Sequence, residues 1–229
     1  MLEIIRQNGR VLMTLPQDSM VQLCLRGACL PEAILNHANL TGANINSANL
    51  RRAHLREALM GGVNAAYAIF NGADLSSALM NEADLGSAEM VSVNLTNAQL
   101  EGANCSRVDL DGSQMNSVRA DGATFEFAAM SETQLDGASL VGANLSSADL
   151  KGASLKGADL RFADLSYAIV VGADLSGADL TGTNMDSVLY DQQTVWPAGF
   201  DPRQAGAVLV SPRIRRPWWR FWSAGVGAR

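Results

Sequence analysis

Apolar residues recur along this chain at intervals of five, and the frame does not slip between Leu25 and Tyr190. The recurring residue is most often Leu, Ala usually lies two positions before it, and Asn or Asp stands between the two in about half of the units. Typical units are Ala38-Asn39-Leu40, Ala73-Asp74-Leu75, Ala143-Asn144-Leu145 and Ala158-Asp159-Leu160. Counting by fives from position 25 to position 190 gives 34 units, so an internal repeat dominates the chain.

Neither an α-helix nor a flat strand keeps such a frame on one face. Five residues turn an α-helix through about 500°, which would spread the apolar positions around its axis. Side chains of a strand alternate with a period of two, so successive leucines would point to opposite faces. A sharp bend in every unit keeps each Leu and its preceding Ala inward, and four bends close a square coil. The pattern therefore predicts a four-sided solenoid.

These A-(D/N)-L-x-x units resemble the pentapeptide-repeat family over about residues 20 to 190. The resemblance implies an all-β fold, a right-handed quadrilateral parallel β-helix with four units per coil. By that analogy the units make about eight coils, and a spacing of about 4.8 Å per coil gives a rod about 40 Å long. We assign residues 21–190 to this β-helix.

The interior of such a coil is expected to balance large and small side chains, because a close-packed core responds to the loss of one methylene. Ala65 is followed one side later by Phe70, and Ala120 by Phe125. Cys105 comes twenty residues before Phe125, directly below it in the predicted stack. We therefore interpret Cys105 as a small packing residue rather than a reactive thiol.

The acidic residues that precede many of the leucines could form a ligand surface, but we favour a structural role. Asp and Asn side chains hydrogen-bond to neighbouring backbone groups and tolerate the tight turns that this chain needs continually. The structural interpretation covers Asp74, Asp84, Asp149, Asp159, Asp164, Asp174 and Asp179.

The first 20 residues depart from the repeat and predict an N-terminal β-hairpin cap. Residues 2–7 and 10–15 form the strands, and the Asn-Gly pair between them is typical of a type I′ turn. Such a cap is expected because the end of a stacked β-helix exposes unpaired strand edges, which invite aggregation.

Residues 191–210 predict a C-terminal cap. Trp196 and Phe200 supply the bulk of a lid over the last coil, and Asp201 followed by Pro202 predicts the start of a short helix. The stretch TVWPAGFDP resembles the closing segment of cyanobacterial members of the family.

Residues 211–229 form a basic, aromatic tail outside the repeat, with the sequence SPRIRRPWWRFWSAGVGAR. Trp and Arg are enriched at interface hot spots, and together they also suit a membrane–water interface. We expect this tail to be the main docking element for a protein partner; contact with a membrane surface and folding back onto the rod are the alternatives. The expected docking residues are Arg213, Arg215, Arg216, Trp218, Trp219, Arg220, Phe221 and Trp222.

Composition and charge exclude several classes of function. The chain has no apolar run near the roughly 18 residues of a membrane-spanning helix, and its first residues do not resemble a signal peptide. Cys24, Cys29, Cys105, His37 and His54 lack the spacing of metal sites. We therefore expect a cytoplasmic protein, peripheral at a membrane if the tail binds lipid, with no disulfide framework, metal or cofactor. No nucleophile with a nearby base is evident, so we do not expect an enzyme.

The function that we favour is a non-enzymatic scaffold, or an accessory or linker subunit, in a larger protein assembly; a photosynthetic assembly is one candidate. Besides the tail, two outward columns carry large side chains that mark a contact surface. Tyr67, Arg107, Phe127 and Tyr167 share one column, and Leu59 and Leu79 stack on another.

The alternative function is that of relatives that mimic DNA and protect gyrase from quinolone drugs. Residues 1–200 carry 22 acidic and 11 basic side chains, a net charge of −11, whereas residues 201–229 carry +5. A duplex mimic needs acidic rows along the rod, but Asp121, Glu126, Glu132 and Asp136 fall on four different sides and form a belt. We therefore predict no gyrase protection and no direct binding of nucleic acid.

Overall fold

The computed structural model describes residues 2–6, 8–15 and 19–210. Its body is the four-sided, right-handed parallel β-helix that the repeat predicted. Each side of a coil forms one parallel bridge to the next coil, and the bridges join residues twenty apart, as in Asn44 to Asn64 and Asn64 to Asp84. Four pentapeptides thus complete one coil. Among the described residues no helix is long and apolar enough to cross a bilayer.

Each corner of the rod is a tight turn, closed by a hydrogen bond from the residue three places after an inward residue, usually Ala, to the carbonyl of that inward residue. The Ala48 N–H donates to the Ile45 carbonyl at 2.9 Å, for example. The residue just before the Ala has a positive φ, 58° at Ser47 and 66° at Gly27. A left-handed third residue is the mark of a type II turn, which glycine adopts most readily. This second turn position therefore explains most glycines of the repeat; Gly61 and Gly86, at the first turn position, are exceptions.

Inward positions form one continuous core. Every fifth residue from Leu25 to Tyr190 is buried except Leu180, which is half-buried beneath the C-terminal cap. Cys105 is 1% exposed and Phe125 above it 0%, which supports the packing role of Cys105. Burial, with a smaller contribution from the Asp84 charge, raises the pKa of the Cys105 thiol to about 12.

All seven aspartates to which we gave a structural role accept backbone hydrogen bonds. In each case a carboxylate oxygen accepts the N–H two residues later, as Asp74 does from Ser76 at 3.0 Å. Hydrogen bonds from Ser176 and Thr181 lower the pKa values of Asp174 and Asp179.

A second arrangement replaces this hydrogen bond where the Asp or Asn before the inward residue is missing. Ser154 stands at that position before Leu155, and the Lys156 N–H donates instead to Asp136, one coil earlier, at 3.2 Å. In the same way the Arg56 N–H donates to Asn36 at 3.0 Å. In both arrangements an Asp or Asn side chain accepts a hydrogen bond from the backbone, so many of the carboxylates on the rod support the fold.

The N-terminal cap is an antiparallel hairpin of β1 (Leu2–Ile5) and β2 (Val11–Leu15). Its turn differs from the expected two-residue type I′ turn. The Arg6 N–H donates to the Arg10 carbonyl and the Gly9 N–H to the Arg6 carbonyl, both at 2.9 Å, which closes a three-residue loop with Gly9 at φ 77°. A left-handed residue at the end of a three-residue loop is a common hairpin solution. The hairpin joins the rod where the Ile34 N–H donates to Ile5.

The C-terminal cap begins where the frame finally slips by one residue. Asp174 pairs with Val195, 21 residues later, and Trp196 packs on Tyr190 with ring centroids 5.5 Å apart. The stack then ends with β3 (Leu189–Tyr190) beside β4 (Val208–Leu209), which are parallel.

The short helix expected from Asp201 is instead a single turn. Gly206 has φ 100°, and its carbonyl accepts the Ser187 N–H at 3.1 Å. The chain must return to the stack there, because the Val208 N–H donates to Val188 at 2.7 Å two residues later. No room remains for a second helical turn.

Candidate functional site

Four large side chains stand above one another at a single corner of the rod, which we call the aromatic corner: Tyr67, Arg107, Phe127 and Tyr167. All four occupy the second turn position, and the backbone ladder joins each to the coil above, as in the 2.8 Å bond from the Arg107 N–H to Glu126. The exposed fractions are 63% for Tyr67, 51% for Phe127 and 60% for Tyr167. The side chains therefore form a convex ridge.

The backbone of the aromatic corner is in a conformation that glycine would adopt more easily. The φ angles are 60° at Tyr67, 59° at Arg107, 57° at Phe127 and 61° at Tyr167. A bulky residue in this left-handed region is strained, and such strain concentrates at functional sites. The other occupants of this corner are Gly27, Ser47, Ser87, Ser147 and Ser187. Since serine satisfies the fold at these positions, folding gives no reason for the aromatic residues.

Spacing along the ridge follows from the coil repeat. Arg107 and Phe127 are on adjacent coils, and the Arg107 guanidinium carbon lies 5.2 Å from the centre of the Phe127 ring, a cation–π contact. Tyr67 and Tyr167 are five coils apart, about 24 Å at about 4.8 Å per coil. Ser87 and Ser147 leave gaps between these large side chains.

Acidic side chains flank the aromatic corner. Glu126 directly precedes Phe127, and Asp109 and Asp149 lie on the adjoining side of the rod. Asp149 is paired with Lys151, whereas Glu126 and Asp109 form no ion pair within the described part of the chain. A surface of aromatic groups between carboxylates suits a partner that presents cationic and aromatic groups.

The other predicted contact residues lie elsewhere on the rod. Leu59 and Leu79 are paired on adjacent coils, with exposed fractions of 38% and 37%. Sequence reasoning missed Phe162, which is 67% exposed with φ 60° on the preceding corner. Its ring lies over Gly182, where an added Cβ would be 2.7 Å from the ring. Its position, two residues after an inward Leu, was the signal that could have found it.

The acidic belt also occupies the places that the frame predicts. Asp121, Glu126, Glu132 and Asp136 stand on four successive corners. Asp121 accepts the Val141 N–H at 3.1 Å, and Asp136 accepts that of Lys156. Two of the four carboxylates are thus hydrogen-bonded to the backbone.

The predicted docking residues of the tail, from Arg213 to Trp222, lie outside the described residues. Within the described part of the chain, no group of three or more His, Cys, Asp or Glu side chains could hold a metal ion. His37 is exposed and lies 3.3 Å from Glu57, between Nδ1 and Oε2.

The profile described as "Pentapeptide repeats (8 copies)" matches residues 25–57, 58–97, 88–126, 128–161 and 158–188. The chain belongs to this family. Among solved structures, HetL, a pentapeptide repeat protein involved in heterocyst differentiation regulation from the cyanobacterium Nostoc, is 31% identical. The match covers 76% of this chain and 83% of HetL, with a TM-score of 0.39.

Two other members of the family are also similar. A protein from the Arabidopsis thaliana thylakoid lumen is 28% identical over 38% of this chain and 61% of its own, with a TM-score of 0.37. QnrB1, a plasmid-mediated fluoroquinolone resistance protein, is 16% identical over 77% of this chain and 79% of its own, with a TM-score of 0.46. Comparison with curated proteins yields no match. The cyanobacterial character of the TVWPAGFDP stretch stays a prediction.

Proposed function

We propose that this pentapeptide-repeat protein is a non-enzymatic interaction scaffold, an accessory or linker subunit that docks a protein partner in a larger assembly. The observation that carries the proposal is the aromatic corner. Three exposed aromatic side chains and an arginine occupy strained positions where serine or glycine serves the fold elsewhere. Tyr and Arg are also enriched among interface hot spots.

The shape of the aromatic corner favours a protein partner over a small molecule. Small ligands bind in concave sites that enclose most of their surface, whereas this corner is a convex ridge. The rigid rod fixes the spacing of the large side chains, so little conformational entropy is lost when a complementary surface binds. The burial of Cys105 and the structural use of the aspartates support a non-enzymatic role.

The tail is the second docking element that the sequence predicts. Pro212 and Pro217 oppose a continuous helix, so we expect an extended or kinked arm anchored by Trp218, Trp219 and Trp222. The three tryptophans would supply most of the affinity, since burying a large aromatic side chain contributes a few kcal/mol. Replacing the arginines should mainly make association more sensitive to salt.

Capture of partners by the tagged protein from its own cells tests the proposal. In the triple variant Tyr67→Ser, Phe127→Ser, Tyr167→Ser, each new residue is one that the same corner already accepts on other coils. The triple variant should lose the partner, as should the Trp→Ala variant of the tail. Phe162→Ser, an exposed aromatic residue on another corner, is the matched control and should retain it. Undiminished capture by both test variants would reject the proposal.

Flotation of the full-length protein with anionic liposomes then separates lipid binding from protein binding.

Gyrase protection remains the alternative, favoured by the charge of −11 over residues 1–200. The belt arrangement of the carboxylates argues against it, because a duplex presents its charges in rows. A supercoiling assay with added protein decides the question. Inhibition of gyrase, or its rescue from a quinolone at stoichiometric protein, would favour duplex mimicry over the scaffold.

A further inference from the structure

The tail carries the chemistry that complements the aromatic corner. We propose that in the free protein residues 211–229 dock onto the aromatic corner of the same chain, so that tail and corner shield each other until a partner competes. This inference rests on the proposed function, because it takes the corner to be an interaction surface.

Charge complementarity is the first argument. Residues 211–229 contain five arginines and no acidic residue. The aromatic corner is flanked by Glu126 and Asp109, which form no ion pair within the described residues. Arginine also stacks on the faces of Tyr and Phe rings, and the tail tryptophans can pack edge to face on the same rings. Arg107, the one cation of the corner, lies over the Phe127 ring, so the Tyr67 and Tyr167 rings and the two carboxylates are the groups that complement the Arg and Trp residues of the tail.

The point where the chain leaves the rod is the second argument. Val208 pairs with Leu189, and Leu189 is one coil above Ile169, which shares its coil with Tyr167. Tyr167 is therefore two coils from the exit and Phe127 four, about 10 Å and 19 Å along the rod. Trp218 comes eight residues after Val210, and eight steps of extended chain span at most about 26–29 Å. The tail tryptophans can accordingly reach both rings.

An apolar path joins the exit to the corner. Val208 is 48% exposed, and Leu189 and Ile169 below it are half-buried. They form one column on the side of the rod that adjoins the aromatic corner. A tail that returns along this column covers apolar surface before it reaches Tyr167.

The same chain is a better source of the tail than a second copy. A short tether holds the tail near its site at an effective concentration of about a millimolar, far above ordinary protein concentrations. The net negative charge of the rod also opposes the approach of another rod. Docking within one chain is therefore independent of concentration.

Tail accessibility in the full-length protein tests the inference. Trypsin cleavage after Arg220 should be about tenfold faster in the Tyr67→Ser, Phe127→Ser, Tyr167→Ser variant than in the unmodified protein, because cleavage follows the population of the undocked tail. Phe162→Ser is the matched control and should not change the rate. In a Trp196→Phe background, the fluorescence of the three tail tryptophans should shift to longer wavelength in the triple variant.

Equal cleavage rates in the triple variant and the unmodified protein would overturn the inference. So would protection that increases with protein concentration together with a dimer in sedimentation, because the occupant would then be a second copy. Partner capture separates the two proposals. If the triple variant loses the partner at an unchanged cleavage rate, the inference fails and the proposed function stands. If its tail is released but capture is unaffected, the inference stands and the corner is not the partner site.

Discussion

Each five-residue unit of this rod has an inward position and a second turn position, and the two place different requirements on a side chain. At the inward position a side chain must fill a dry interior, and Leu, Met, Phe and smaller apolar residues alternate with little exposure. At the second turn position the side chain faces solvent, and Gly, Ser, Glu, Arg, Tyr and Phe all occur at similar positive φ. Large residues at the first position report on packing. Large residues at the second are strained and not required by the fold; where several share one column, as at the aromatic corner, we interpret them as contact residues.

The largest effect is expected where the inward position is lost. One extra residue inserted after Gly137 moves every later inward side chain off the core face, because side-chain direction depends on register. We expect loss of the cooperative unfolding transition in circular dichroism. An insertion in the Asn8–Gly9 turn, outside the coil frame, is the control and should leave the rod folded. A folded rod with the insertion at 137 would contradict the register argument.

Phe125 and Phe127 compare the two positions directly, two residues apart in one unit. Phe125 is 0% exposed and Phe127 51%. Phe125→Ala should lower the free energy of unfolding by about 3–5 kcal/mol, because it leaves a cavity in a packed stack. Phe127→Ala should change it by no more than about 0.5 kcal/mol, as exposed substitutions do. Denaturant titration measures both, and equal losses would show that the exposed ring also supports the fold.

Cys105, at an inward position, makes the stability of the folded protein depend on pH. Burial raises the pKa of its thiol from 9.0 to about 12, so the folded state holds the neutral form. Below about pH 9 this contribution to stability is complete; as pH rises from about 9 towards 12, the thiol ionises in the unfolded chain and the contribution is lost. The stability difference between the unmodified protein and Cys105→Ala should therefore shrink across this window in thermal melts. A constant difference would contradict the burial argument.

The fold could be read from the sequence because a single physical requirement repeats along the chain. The five-residue frame determined which residues are inward, and Leu75 and Leu145 are 0% exposed as expected. The ends were harder, because local signals compete there with closure of the stack. The Asn8–Gly9 pair indicated a two-residue turn, but a three-residue loop closes the hairpin, and the helix expected from Asp201 gave way to the return at Gly206.

The candidate site was only partly readable. Residues twenty apart share a column, and this rule places Tyr67, Arg107, Phe127 and Tyr167 together from the sequence alone. Exposure and backbone strain do not follow from counting, since they depend on the turn geometry at each corner. Phe162 was missed because no large neighbour shares its column, although its frame position is that of Tyr67.

The smallest effect on stability is expected at the second turn position, where Tyr167 can be replaced with glycine. Tyr167 has φ 61° and is 60% exposed, so its side chain contributes little packing while its backbone is strained. Replacing it with glycine removes the strain, and the greater freedom of glycine in the unfolded chain offsets part of that gain. Tyr167→Gly should therefore leave the free energy of unfolding unchanged or raise it by up to about 1 kcal/mol. Ser147→Gly on the adjacent coil, at φ 60°, is the control and should behave alike.

Denaturant titration of both variants, with partner capture in parallel, separates stability from function. If Tyr167→Gly keeps its stability and loses the partner while Ser147→Gly keeps both, the aromatic residue is retained for contact. A marked loss of stability in Tyr167→Gly alone would mean that the ring packs on the rod and that the corner belongs to the fold.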